Sequence, residues 1–323
     1  MSNGMAAANG PGAEACLVDA SVYIFRYYFA LPPNWESRAG YSTEAVYGFT
    51  NFLLDLLARR PTYMACAFDE SLGSCFRNEI YADYKCSRAL PDEALAFQLA
   101  ACREMAEALG IASFASERFE ADDILASLTR ICCESGQSIR PVIVTRDKDL
   151  GQLLDAGAHS LWDFAADQYL DRSAIEGKFG VRPRQIADYL ALVGDSIDDI
   201  PGVPGIGAKT AARLLAEFDT VEDLLAGVER VPALGLRGGA GIARKLEAHA
   251  DQIRMALKLA QLHDRVPLDV AAADLAPGPA DPEFAIALAD ELGFGRLGGK
   301  IRRVLAQPDF CPGTETGPVT ETV

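Results

Sequence analysis

The stretch Val142-Ile143-Val144-Thr145-Arg146-Asp147-Lys148-Asp149 decides the fold. Three β-branched apolar residues in a row read as a short strand buried on both faces, and the run breaks at once into charge. The pattern recurs upstream, where Val18 leads to Asp19 and Ala67-Phe68 leads to Asp69. Strands are expected over 15–18, 63–68, 111–114, 142–145 and 159–162. Between them, apolar residues at three- and four-residue spacing predict helices over 46–58, 92–109 and 122–133. This alternation predicts an α/β fold with a mainly parallel central sheet and flanking helices. In such a sheet ligands bind outside the carboxyl ends of the strands. Acids at several strand ends therefore converge, however far apart they lie in sequence.

Beyond Val181 the texture is helical, with helices expected over 185–193 and 209–218 joined by the Gly/Pro-rich segment 194–207, and more helix to about 262. Pro277-Gly278-Pro279 marks a connection, after which 283–303 reads as further helix. The expected organisation is a polar, mobile tail (1–13), an α/β domain (14–180), a helical lobe (181–275), a C-terminal helical segment (276–307) and a second tail (308–323).

The chain has 323 residues, half of them hydrophobic, enough for a full core and a second lobe. No apolar run is long enough for a membrane span, no secretory signal is visible, and a cytoplasmic location is expected. Eight cysteines are scattered without a C-x-x-C pair, mostly in apolar company, as in Met64-Ala65-Cys66-Ala67; they read as reduced thiols, with Cys132-Cys133 on the core side of a helix. A net charge of −16 argues at first against a nucleic-acid partner. Cations bound among converging acids would invert the local potential and weaken that objection.

Two further segments add acids: Glu120-Ala121-Asp122-Asp123 where a helix begins, and Asp195 with Asp198 in Gly194-Asp195-Ser196-Ile197-Asp198-Asp199. Crowded carboxylates repel and raise one another's pKa, so a stable cluster implies hard cations, and all-oxygen ligation favours Mg²⁺ or Mn²⁺. Two such ions about 4 Å apart suit in-line phosphodiester hydrolysis. The three histidines lie away from these acids, so water activated at the cations, not a histidine base, is the expected nucleophile.

Two other segments read as nucleic-acid contacts. In Pro201-Gly202-Val203-Pro204-Gly205-Ile206-Gly207-Ala208-Lys209-Thr210, glycines permit close backbone approach, and the amides from Gly205 through Thr210 with Lys209 can bind a phosphate. In Phe76-Arg77…Tyr84-Lys85-Cys86-Ser87-Arg88, Arg77, Lys85 and Arg88 are expected to hold phosphate while Tyr84 stacks on a base. A plain helix–helix turn and a solvated helix face are the respective structural alternatives. Gly293-Phe294-Gly295-Arg296-Leu297-Gly298 matches a dinucleotide fingerprint in letters only, because no βαβ unit surrounds it.

At these residues the chain resembles the 5′→3′ exonuclease and flap endonuclease family, in particular the nuclease domain of bacterial DNA polymerase I and its free-standing relatives. The blocks LVDASVYIFRYYFALPP, AVYGF, AFD, FRNEIYADYK, FEADDILASL, VTRDKDLGQLL and GDSIDDIPGVPGIGAKTA stand in family order from about Leu17 to Ala212. The resemblance implies a PIN-like nuclease core, a helical arch at about 72–110 and a helix–hairpin–helix lobe. It implies a first metal site of Asp19, Asp69, Glu120 and Asp122, and a second of Asp147, Asp149, Asp195 and Asp198, with Asp123 beside both. Lys85 and Arg88 match arch residues acting on the scissile phosphate, catalytic together with Asp147 and Asp149. Arg26 and Tyr28 match positions near the active site, Arg26 as a DNA contact. The hairpin would grip duplex DNA and hold K⁺ through the main-chain carbonyls of Leu192, Val193, Pro201, Val203 and Ile206. Phe29, Tyr41 and Asp199 depart from the family's common His, Pro and Asn.

The expected function is that of a monomeric, two-metal, structure-specific 5′ nuclease acting on DNA with a 5′ flap, nick or single-stranded 5′ end in replication and repair. A non-catalytic DNA-structure-binding protein on the same fold and a PIN-type ribonuclease are the alternatives.

Overall fold

The computed structural model describes residues 12–70 and 75–306. Six strands form one sheet: β1 (Ala13–Asp19), β2 (Tyr63–Asp69), β3 (Ala112–Ser116), β4 (Ile139–Val144), β5 (Ser160–Asp163) and β6 (Gln168–Leu170), in the order β3-β2-β1-β4-β5-β6. The first five run parallel, and β6 turns back antiparallel on β5. Winding proceeds outward from β1 to β3 and then restarts at β4 on the other side of β1. The reversal between β1 and β4 is the switch point beside which open α/β sheets bind ligands.

Alternation along the strands divides the core. Ala15 and Leu17 face one side, Cys16 and Val18 the other. The first side is covered by the helix Ala121–Glu134, and this core continues without a break into the helical lobe through Leu150, Ile175, Ile186 and Leu190. The second side is covered by the helices Ala20–Ala30, Glu44–Leu57 and Glu93–Ala108, and by the C-terminal pair Pro282–Glu291 and Gly298–Leu305. Burial on both faces is why β1, β2 and β4 read as near-continuous apolar runs.

Several expectations need correction. Ala13 is not tail: its amide donates to the Ser138 carbonyl at 2.9 Å as β1 begins. The rest of the expected tails (1–11 and 308–323), Cys311 and the start of the expected arch (71–74) lie outside the described residues. The helix expected over 283–303 is two helices. Gly293 breaks it at φ +83°, where a Cβ would stand 2.3 Å from the Glu36 carbonyl oxygen. The arch expected over 72–110 is too long: Glu93–Ala108 is a core helix burying Ala101, Cys102 and Met105, and Gln98 within it accepts the Ala45 amide at 2.8 Å. What remains is the short helix Phe76–Ile80 and a series of turns through 88. The helices Ala20–Ala30 and Arg172–Phe179 and the strand β6 were not anticipated. Of the paired cysteines, Cys132 is buried but Cys133 is exposed; all seven described cysteines are free thiols. No helix among the described residues is long and apolar enough to cross a membrane.

Candidate active site

The carboxyl ends of the parallel strands open onto a cleft of about 690 Å³ lined by Asp19, Asp69, Asp122, Asp147, Asp149, Asp195 and Asp198, with Lys85 and Arg88 at its edge. Each acid is held by a local device. Asp19 ends β1 and caps the next helix, accepting the Val22 amide through Oδ1 at 3.2 Å. Asp69 ends β2, accepts the Ala121 amide at 2.7 Å, and donates its own amide to Ser21 Oγ at 3.1 Å. After β4, Asp147 donates its amide to Thr145 Oγ1 at 2.9 Å, and Asp149 donates its amide to Asp147 Oδ1 at 2.9 Å. Asp195 and Ile200 exchange both backbone hydrogen bonds, at 2.9 and 2.7 Å, closing the loop that presents Asp198.

The electrostatics of the cleft are dominated by like charge, which Lys85 and Arg88 offset in part at Asp69 and Asp198. Burial, opposed by the Thr145 hydrogen bond and reinforced by Asp69 and Asp147, pushes Asp19 up to about 7. Asp122 is raised well above the usual carboxylate range by burial and then by Asp147, Asp19 and Asp69. Asp149 is pushed up to about 7 by burial and by Asp147, Asp195 and Asp198. Asp147 thus acts on both groups of acids. No three acidic, histidine or cysteine side chains among the described residues stand close enough to ligate one ion as they are. The donor set is all oxygen, which fits a hard divalent ion. The histidines stay out: none lines the cleft, and the His263 ring stacks on Phe119 at 5.0 Å between centroids.

Five residues expected to bind metal or DNA here, Asp123, Arg77, Tyr84, Glu120 and Arg26, do not line the cleft. Asp123 is fully buried and bonded by the Arg77 guanidinium at 2.7 and 2.8 Å, so it is a structural anion and not a metal ligand facing the cleft. Arg77 is 2% exposed and cannot meet DNA. Tyr84 is buried, with its hydroxyl donating to Glu120 Oε2 at 2.9 Å, so its ring is unavailable for stacking on a base. Glu120 stands behind the cleft wall, holding Arg77, Tyr84 and Lys85. Burial would raise its pKa, but Lys85 and Arg77 outweigh that and lower it. Arg26 is half-buried and does not line the cleft, whereas Tyr28 and the exposed Phe29 do.

Lys85 and Arg88 sit at the cleft edge, paired with carboxylates. Lys85 Nζ contacts Glu120 and lies 3.5 Å from Asp198; Arg88 Nη2 lies 3.0 Å from Asp198. Their turn is latched to the acid loop, since the Lys85 amide donates to the Asp198 carbonyl at 3.0 Å and the Ser87 amide to Asp199 Oδ2 at 2.8 Å.

Beside the cleft, Gly194 and Gly202 let two backbones cross. A Cβ on Gly202 would stand 2.2 Å from the Val193 carbonyl oxygen, and one on Gly194, at φ +78°, 2.5 Å from the Gly202 nitrogen. Past this crossing Gly205 takes φ +80° and Gly207 caps the helix Ala208–Glu217, with Gly205, Gly207, Ala208 and Lys209 exposed and Thr210 half-exposed. The Ile206 side chain is buried and pegs the turn to the core; it presents only backbone. Among the expected carbonyl ligands, Leu192 accepts the Val203 amide at 2.9 Å and Val203 accepts the Ile206 amide at 2.9 Å.

A mainly parallel sheet with carboxylates at its switch point, joined to a helical lobe with a glycine-bridged hairpin, defines the resolvase-like class of nuclease folds. Family models of the 5′-3′ exonuclease N-terminal resolvase-like domain and of the 5′-3′ exonuclease C-terminal SAM fold match residues 14–180 and 181–283. The chain belongs to the 5′-3′ exonuclease family. It is 40% identical to DNA polymerase I of Pseudomonas aeruginosa over 285 residues, which cover 87% of this chain and 31% of that protein; the chain thus spans under a third of that relative's length. Among solved structures, T5 5′-exonuclease with bound zinc aligns at TM-score 0.61 and 20% identity, over 91% of this chain and 98% of that one. The catalytic core of Rad2 in complex with DNA substrate aligns at TM-score 0.61 and 16% identity, over 92% of each. Likenesses at such identity show the fold.

Proposed function

We propose that the chain is a structure-specific 5′→3′ exonuclease and flap endonuclease, hydrolysing DNA phosphodiester bonds near 5′ ends in primer removal and repair, as a monomer in the cytoplasm. The observation that carries this reading is the convergence of eight carboxylates on one cleft, seven of them apart from the helix-capping Asp92, with two basic side chains at its edge. Asp19, Asp69, Asp122 and, behind them, Glu120 would hold one divalent ion, Mg²⁺ or Mn²⁺; Asp147, Asp149, Asp195 and Asp198 would hold a second. When bound, such a pair supplies an activated water and stabilises the leaving oxygen. The chain's own part is placement. Thr145 fixes the Asp19 carboxylate and the Asp147 backbone, the Ala121 amide fixes the Asp69 carboxylate, and Ser21 fixes the Asp69 backbone. Lys85 and Arg88 would orient the scissile phosphate and stabilise the charge that develops on it.

The hairpin would hold duplex DNA by its backbone. The amides of Gly205, Gly207 and Ala208, with Lys209 and Thr210, suit a phosphate at a helix start. A K⁺ ion at the Leu192, Val193, Pro201, Val203 and Ile206 carbonyls would add charge there. Arg26 would meet DNA beyond the cleft.

One gel tests the reading: a 5′-flap duplex, a nicked duplex and a single strand, each with and without Mg²⁺. Mg²⁺-dependent cutting near the flap base is expected. No cutting at high protein concentration would refute the enzyme, and preference for single-stranded RNA would point to the ribonuclease alternative.

A further inference from the structure

Arg77, first read as a DNA contact, spends all five of its N–H donors inside the protein. Nε donates to the Leu259 carbonyl at 2.8 Å; Nη1 donates to Glu120 Oε2 at 3.0 Å and Asp123 Oδ2 at 2.7 Å; Nη2 donates to Asp123 Oδ1 at 2.8 Å and the Gln261 carbonyl at 3.1 Å. Two of these acceptors close the helix Ala250–Ala260 of the helical lobe, and the others form the first turn of the helix Ala121–Glu134. One guanidinium therefore joins a candidate metal ligand to the second lobe.

Stability alone does not account for a buried charge here. Burying such a group costs several kcal/mol, and well-packed apolar residues often serve a buried junction as well or better. Glu120 shows what an apolar residue could not do. Its Oε2 is held by Arg77 and by the Tyr84 hydroxyl at 2.9 Å, while Oε1 carries Lys85 at the edge of the cleft. A carboxylate fixed through one oxygen by two rigid donors presents the other in one direction. The helix that holds Arg77 at its end also reaches the hairpin: Gln252, seven residues before Leu259 and so about 10 Å along the axis, donates to the Gly202 carbonyl at 3.0 Å.

We propose that Arg77 is a positioning residue for the nuclease reaction, transmitting the docked position of the helical lobe to Glu120 so that Oε1, the oxygen that carries the Lys85 ammonium in this structure, is the one turned toward a divalent cation. The proposal rests on the nuclease reading above. It deepens that reading by making metal binding depend on a residue that touches neither metal nor DNA.

The full-length chain carries the test as Arg77→Lys and Arg77→Met, with Ser127→Ala as the control. Ser127 stands at the same junction, where its Oγ accepts the Val266 amide at 2.9 Å, but makes no hydrogen bond to Glu120. Mn²⁺ binding is measured without DNA by electron paramagnetic resonance, and single-turnover cutting of a 5′ flap is measured at saturating DNA. Both Arg77 variants are expected to bind Mn²⁺ about 10- to 100-fold more weakly. They should cut more slowly with unchanged DNA affinity, and recover rate as Mg²⁺ is raised. Ser127→Ala should lose melting temperature and keep Mn²⁺ affinity. Wild-type Mn²⁺ affinity in the Arg77 variants, or an equal loss in Ser127→Ala, would overturn the proposal. If Arg77→Met does not fold, Arg77→Lys against Ser127→Ala at matched fractions folded decides it. A wild-type protein that cuts no flap would count against the nuclease reading alone, since the Mn²⁺ comparison still reads out Arg77.

Discussion

Thr145 Oγ1 donates to Asp19 Oδ2 at 2.8 Å and, from the same oxygen, accepts the Asp147 amide at 2.9 Å. One hydroxyl thus ties the acid at the end of β1 to the acid beyond β4. Its hydrogen bond also opposes the rise in the Asp19 pKa. Thr145→Val keeps the shape and removes both bonds. Cutting of a 5′ flap should fall about 10- to 100-fold, while Thr145→Ser stays near wild type. Single-turnover rates on the three proteins check this, and equal rates would show the bond to be incidental.

The acid cluster should make the metal-free protein unusually sensitive to pH. Asp19 and Asp149 titrate near 7 in the folded chain and near 4 when unfolded. Groups with raised folded values cost stability once ionised. In EDTA the protein is therefore most stable below about pH 4 as far as these groups are concerned, and loses stability as pH rises through about 7. Asp122→Asn relieves the repulsion. It should raise the melting temperature at pH 8 by about 1–2 °C for each kcal/mol regained, and lose part of the stabilisation that Mg²⁺ gives the wild type. Calorimetry with and without Mg²⁺ would show it; a lower melting temperature in EDTA would contradict the electrostatic account.

Asp147 acts electrostatically on both groups of acids. Asp147→Asn should abolish cutting and leave DNA binding intact or tighter, because one negative charge has left the cleft. Fluorescence anisotropy with a flap substrate, beside the cleavage gel, separates the two effects. Parallel loss of both would contradict the assignment.

Gly202→Ala tests the backbone crossing, where a Cβ would fall 2.2 Å from the Val193 carbonyl oxygen. Overpacking of this kind costs about 1–3 kcal/mol, and duplex affinity should drop with it. Lys209→Ala, on the exposed first turn of the next helix, should leave the melting temperature alone and reduce the salt dependence of duplex binding by about one phosphate contact. An unchanged slope would remove Lys209 from that role.

What the sequence made legible was whatever depended on local pattern. Strand-end acids announce themselves because an apolar run and its terminal charge are adjacent, and the parallel sheet then brings Asp19, Asp69 and Asp147 together without further information. Arg77, Tyr84 and Asp123 were misread for the opposite reason. A basic aromatic stretch looks the same whether it faces solvent or is buried. What buries Arg77 is a pair of carbonyls 182 and 184 residues further on. Thr145 was overlooked inside the very stretch that decided the fold, although its place between a strand and two acids was a usable signal. That the helix Glu93–Ala108 belongs to the core and not to an arch is invisible in its own residues, because its packing against the Glu44–Leu57 helix is a tertiary fact.

The central pairing of β1 with β4 also has a consequence for synthesis. The partners of the Asp19–Thr145 bond lie 126 residues apart, and β2 and β3 are made before β4 arrives. During synthesis, the strands that end on Asp19 and Asp69 therefore precede the strand that pairs on the other side of β1. The chain can gather the full set of acids only after Asp147, Asp149 and the 195–200 loop have been translated. If the chain is the nuclease proposed above, a polypeptide still short of that length would lack the second group of acids and should not cut nucleic acid.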